Sequence, residues 1–193
     1  EAYRRVSKPN AAIVLTAQTP FDKVLGCTNL RELRYEWIWE KTEATGHLNA
    51  KRMPMKAHEN VLVFYRVLPT YNPQKTSGHV RKTSQSDAAK DASTNYGKQS
   101  GAKSYDSTER YPRSVIQFST DKQKIPFHPT QKPVALFEYL IKTYSNPGET
   151  VLDNCAGSGT TGIAAKNTGR NFILIEKDQH YVEVTRTRLL STT

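Results

Sequence analysis

The chain has 193 residues, Lys+Arg 28 against Asp+Glu 18, a formal net charge of +10 and 36% hydrophobic residues, with Cys27 and Cys155 its only cysteines. This length fits one domain with an insertion, the excess of base fits a polyanionic partner, and two cysteines are too few for a disulfide framework. Neither a signal-peptide pattern nor an apolar run of membrane-spanning length is visible, so a cytoplasmic, reducing setting is the expectation.

Residues 1–7 read as the end of a helix, stopped before Pro9, and residues 11–15 as a buried strand. Pro20 opens a short helix through Phe21, Val24 and Leu25. Tyr35, Trp37 and Trp39 then alternate with Glu36, Ile38 and Glu40, which predicts a strand with one aromatic face, and residues 58–65 form a second apolar strand. The loop between them, residues 42–56, is long for a hairpin and carries Lys51, Arg52 and Lys56. From 41 to 113 the chain holds 13 Lys and Arg against 6 Asp and Glu, so seven of the ten surplus charges fall in this tract.

Residues 72–111 contain no Leu, Ile, Phe, Met or Trp and cannot add much to a core. Their Tyr96, Tyr105 and Tyr111 stand among Lys98, Lys103, Arg110 and Arg113. That mixture can stack on bases and neutralise phosphates; it also fits a flexible linker with incidental tyrosines, and composition leaves both readings open. Beyond it, His128, Pro129, Thr130, Gln131, Lys132 and Pro133 lead into a helix whose Leu136, Phe137, Leu140, Ile141 and Tyr144 recur at helical spacing. Thr130 and Lys132 at the helix start could hold a carboxylate. His128 has no second ligand at metal-binding spacing, and no metal is expected.

Residues 150–176 organise the chain. A short strand ends in Asp153, a turn follows through Gly157, Ser158, Gly159 and Thr160, a helix over 161–168 is closed by Gly169, and a strand over 172–175 delivers Glu176. This is a parallel βαβ unit suited to a nucleoside: glycines admit the ligand to the backbone, the helix start offers amide donors, and an acid at the tip of the second strand can accept from ribose hydroxyls. Gly157, Gly159 and Gly162 also satisfy the three-glycine dinucleotide pattern, so a nicotinamide-dependent oxidoreductase remains open at this point. Against it, Asp153 would repel a pyrophosphate but suits an ammonium group or neutral hydroxyls.

The segment from His128 to Pro133, the run Asp153, Asn154, Cys155, Ala156, Gly157, Ser158, Gly159, Thr160 and Thr161, and then Glu176, Lys177 and Asp178 together resemble the cofactor half of site-specific DNA amino-methyltransferases. The resemblance extends over nearly the whole chain and is closest to the permuted, beta-group arrangement. It implies a Rossmann-like α/β fold, S-adenosylmethionine as methyl donor, double-stranded DNA as partner, and adenine N6 or cytosine N4 as acceptor, with adenine expected, in the setting of restriction-modification. It implies cofactor contacts from Thr130, Lys132, Asp153, Cys155, Gly157, Ser158, Gly159, Thr160, Thr161 and Glu176. It divides the chain into a catalytic-side half (1–71), an inserted target-recognition region (72–120) and a cofactor half (121–193). The DNA-contact candidates are Lys51, Arg52, Lys56, Lys98, Lys103, Arg110 and Arg113.

One departure stands out. The family's catalytic motif is Asp, Asn or Ser followed by two prolines and an aromatic residue, and this sequence has no adjacent prolines. The expectation is therefore a chain that begins downstream of that motif, has no catalytic residue of its own, is silent alone, and shows a gap in the sheet between strands 11–15 and 151–153. A noncatalytic DNA-binding remnant is the alternative from a different class.

Overall fold

The computed structural model describes residues 2–86, 103–120 and 131–191. They form two compact units, one built from residues 1–72 and 113–193 and the other from residues 73–112. In the larger unit α1 (Ala2–Val6) precedes β1 (Ile13–Ala17), α2 (Phe21–Cys27), β2 (Leu33–Thr45), a 3-10 turn (His47–Asn49) and β3 (Lys56–Phe64). The smaller unit contributes β4 (Lys82–Ser86) and β5 (Lys103–Ser107). The larger unit then resumes with β6 (Val115–Phe118), α3 (Val134–Tyr144), β7 (Thr150–Asp153), α4 (Thr160–Asn167), β8 (Asn171–Leu174) and α5 (Gln179–Ser191).

Strands β1, β3, β2 and β6 make one sheet in that order; β3 runs antiparallel to both neighbours, and β6 parallel to β2. The pairing of β6 explains why the compact insertion stops at residue 112, inside the 72–120 bounds read from the sequence. Strands β7 and β8 pair parallel across α4, as the βαβ pattern predicts. Among the described residues of the larger unit β1 pairs only with β3 and β7 only with β8, so these strands fall in two sheets there.

The aromatic alternation of β2 becomes the core. Trp37 and Trp39 are buried with Val61, Val63, Ile116, Leu136 and Leu140. Helix α3 faces two ways: Leu136 and Leu140 pack on the four-stranded sheet, while Ile141 joins Ala164 and Ala165 of α4, against which Val151 and Phe172 of the βαβ unit lie. Truncating a fully buried leucine such as Leu136 costs about 2–5 kcal/mol, so this one helix ties the cofactor half to the sheet. The β2 pattern runs one step further than its aromatics: Lys41 occupies the same face and is 7% exposed.

Candidate functional site

Two residues, Asp153 and Glu176, set the glycine turn from its ends. Asp153 Oδ1 accepts the Cys155 amide at 2.9 Å and Oδ2 accepts the Thr161 hydroxyl, so the carboxylate closes the turn onto the start of α4. Glu176 Oε2 accepts the Gly157 amide at 2.8 Å, and its Oε1 accepts the amides of Lys177 at 2.9 Å and Asp178 at 3.0 Å. Three backbone donors therefore hold the acid at the tip of the second strand. The amide donors that the sequence offers to a ligand are in part committed within the protein: those of Cys155, Ala156, Gly157 and Gly159 all have partners.

The underside of the turn rests on α5, a helix that sequence reasoning misses. Thr185 Oγ1 donates to the Gly157 carbonyl at 2.9 Å, and buried Arg188 donates to the Ser158 hydroxyl at 2.9 Å and to its carbonyl. Gly157 and Gly159 have positive φ of 52° and 79°. A Cβ on Gly159 would lie 2.5 Å from Thr185 Cγ2, and one on Gly162 would lie 2.7 Å from Leu174 Cδ1. These two glycines thus serve close packing against α5 and β8. Ser158 also donates to Gln131 Oε1 at 3.1 Å, which joins the turn to the segment ahead of α3. Thr160 Oγ1 and Gln131 Nε2 are buried without a hydrogen-bond partner among the described residues. Two orphaned polar atoms bracketing a turn of tight backbone suit a ligand rich in hydrogen-bonding groups. Cys155 is exposed beside it, and Tyr3 of α1 reaches Asn154 Oδ1 at 3.1 Å.

Lys132 adds its charge to a second cluster. Its Nζ lies 2.6 Å from Glu59 Oε2, while Lys41 Nζ and Gln18 Nε2 each lie 2.8 Å from Oε1. Burial acts to raise the Glu59 carboxyl, yet the hydrogen bonds from Lys132, Lys41 and Gln18 hold it below its ordinary 4.5. Glu59 and Gln18 also line a cavity of about 190 Å3 together with Thr19, Lys56, His58 and Asn60. Asn60 donates to Asp22 Oδ2 at 2.6 Å, which leaves its Oδ1 buried without a partner among the described residues. Neither this cavity nor the Glu59 cluster has a signature in the linear sequence, because their members come from the loop after β1, from β2, from β3 and its approach, and from the α3 approach.

Of the basic candidates, Lys51, Arg52, Lys56 and Arg113 are exposed. Thr130, Lys98 and the Lys103 side chain lie outside the described residues. Arg110 is committed to its own unit: its guanidinium donates to the carbonyls of Glu109 at 2.7 Å, Ser107 at 3.0 Å and Val80 at 2.5 Å. Arg81, which the sequence reading passes over, makes a two-point pair with Asp106 at 2.7 and 2.5 Å on the exposed β4–β5 ribbon.

A carboxylate held under a glycine turn at the end of a parallel βαβ unit is the arrangement of a Rossmann-like fold. Residues 1–187 match the N6/N4 DNA methylase family, and the chain belongs to that family. It is 43% identical over 89 residues to the type II methyltransferase M.HinfI of Haemophilus influenzae, covering 42% of this chain and 25% of that protein. It is 47% identical over 62 residues to the type II methyltransferase M2.DpnII of Streptococcus pneumoniae, covering 32% of this chain and 23% of that protein. The matched stretches thus span about a quarter of each of these relatives. Among solved structures, the M1.HpyAVI–SAM complex superimposes with a TM-score of 0.69 at 26% identity, over 97% of this chain and 78% of that one.

Proposed function

We propose that the protein transfers a methyl group from S-adenosylmethionine to an exocyclic amino group of double-stranded DNA, adenine N6 being the acceptor. The observation that carries this is the Glu176 carboxylate, fixed by the amides of Gly157, Lys177 and Asp178 where a ribose would approach the turn. When bound, the cofactor supplies an electrophilic methyl on a sulfonium. Glu176 receives the ribose hydroxyls. Thr130 and Lys132 hold the carboxylate of the amino-acid arm, and Asp153, Cys155, Gly157, Ser158, Gly159, Thr160 and Thr161 shape the wall between them.

The cavity beside Glu59 takes the extruded base. It opens where β1 ends, and ligands of open α/β sheets sit outside the carboxyl ends of strands. Phosphates fall to Lys51, Arg52, Lys56 and Arg113, and to Lys98 and Lys103 of the insertion, whose basic polar character suits contact with duplex DNA. Arg110 passes from phosphate contact to holding the base of the ribbon. The family's double-proline motif is absent from the sequence, so no residue here is given the role of gripping the target amino group.

Transfer of labelled methyl from S-adenosylmethionine into duplex DNA, with calorimetry against S-adenosylmethionine and NAD, tests the reading. Binding of NAD with none of S-adenosylmethionine refutes it; DNA binding without transfer favours the noncatalytic remnant.

A further inference from the structure

Glu59 is surrounded by more positive charge than it can neutralise. Its side chain is 5% exposed, and two ammonium groups converge on it: Lys41, 4% exposed, and Lys132, 22% exposed. Both also lie over the ring of Trp39, at 5.3 Å for Lys41 and 5.8 Å for Lys132. Trp39 is itself 2% exposed and faces Glu59 across the β2–β3 ladder. Lys41 alone balances the carboxylate, and Gln18 fills a further acceptor site on Oε1. Lys132 therefore brings one unit of positive charge beyond neutrality into a largely dry place. Such a surplus is costly unless an anion meets it.

The direction in which it is presented follows from the chain. Lys132 is the more exposed of the two lysines, and its neighbour Gln131 accepts from Ser158 of the glycine turn. Adjacent residues of this segment thus meet the two places at once, Lys132 the Glu59 cluster and Gln131 the glycine turn. A free lysine side chain carries about 2 kcal/mol of rotamer entropy. The 2.6 Å contact with Glu59 restrains that side chain before any ligand arrives.

We propose that Glu59 is a positioning residue for the cofactor's amino-acid arm: held ionised and immobile by Lys41 and Gln18, it fixes the Lys132 ammonium where that arm's carboxylate docks. The inference rests on the S-adenosylmethionine reading above. Glu59 reaches the cofactor's arm only through Lys132, and this distinguishes it from a residue that merely keeps the sheet intact.

The test uses two thioether nucleosides that differ only in the arm, zwitterionic S-adenosylhomocysteine and uncharged 5′-methylthioadenosine, titrated calorimetrically into the wild-type protein and variants. Changing Lys41→Met and Glu59→Gln together removes the buried pair and keeps the net charge of the cluster, leaving Lys132 without the carboxylate that restrains it. That variant should melt cooperatively, bind S-adenosylhomocysteine about tenfold more weakly, as expected for one charge-assisted contact loosened, and bind methylthioadenosine within about twofold of wild type. In a Lys132→Met background the same pair of changes should cost nothing further. Should the double variant not fold, Glu59→Asp keeps the charge, draws it back by one methylene and should show the same selective loss. Equal weakening of both nucleosides, unchanged binding of both, or an additive loss in the Lys132→Met background overturns the proposal while leaving the site reading intact. Binding of neither nucleoside by the wild type overturns the site reading, and the proposal with it.

Discussion

Replacing Gly159 by alanine tests how tightly the glycine turn is built. The added Cβ would stand 2.5 Å from Thr185 Cγ2, 2.8 Å from its Oγ1 and 3.1 Å from its Cβ, and the residue keeps a φ of 79°. Two costs add: about 1–2 kcal/mol for an L-residue in the left-handed region, and about 1–3 kcal/mol for overpacking a close contact. Thr185 cannot swing away freely, because its hydroxyl donates to the Gly157 carbonyl at 2.9 Å. Gly159→Ala should therefore destabilise the protein by about 2–5 kcal/mol, a large part of a usual domain stability of about 5–15 kcal/mol. Adding Thr185→Ser removes the methyl that clashes most and should restore part of the overpacking share, since Oγ1 stays 2.8 Å from the added Cβ, while leaving the backbone share. Urea unfolding of the three variants, followed by circular dichroism, measures both steps. A Gly159→Ala midpoint at the wild-type value, or no recovery on adding Thr185→Ser, would refute the claim that this glycine exists for contact with α5.

Glu176→Ala should weaken S-adenosylmethionine by about 1.5–3 kcal/mol in calorimetry, the range for hydrogen bonds to a charged group. Neutralising Lys51, Arg52 and Lys56 together should flatten the plot of log affinity for duplex DNA against log salt by up to about 3 in slope; an unchanged slope assigns the phosphates to other residues. Glu59 titrates below its ordinary 4.5, so its contribution to stability is present above that value and is lost as pH falls through the lower, folded value. In melts between about pH 5 and about pH 3, the Glu59→Gln variant should lose less stability than the wild type, and a parallel decline would show that this carboxylate is not coupled to folding.

The βαβ unit is legible in the sequence because its strands and helix follow simple periods and its turn needs glycine. The long strand at Leu33–Thr45 shows for the same reason, through Trp37 and Trp39. Helix α5 does not show. Val182, Val184, Thr185 and Thr187 are β-branched, its apolar residues make no helical stripe, and the side chains it buries are the polar Thr185 and Arg188. Their value lies in partners on a turn some 30 residues earlier. Lys41 is likewise buried against the period's usual meaning, since Glu59 on the neighbouring strand, opposite Trp39, makes a charge tolerable there. The strands β4 and β5 escape notice because pairing, with no apolar face, is their main signature.

That ribbon has a consequence for how the protein can change over generations. Beyond the ladder its two arms are joined where Thr76 and Arg110 exchange backbone hydrogen bonds of 3.0 and 2.8 Å, where the His79 amide donates to the Thr108 carbonyl at 3.1 Å, and where Lys75 pairs with Glu109 at 2.9 Å. Lys82, Thr83, Ser84, Ser104 and Asp106 point to solvent, and none of them belongs to the hydrophobic clusters of the larger unit. Substitution of these exposed positions removes no buried apolar side chain, so the ribbon's sequence is constrained mainly by its backbone pairing.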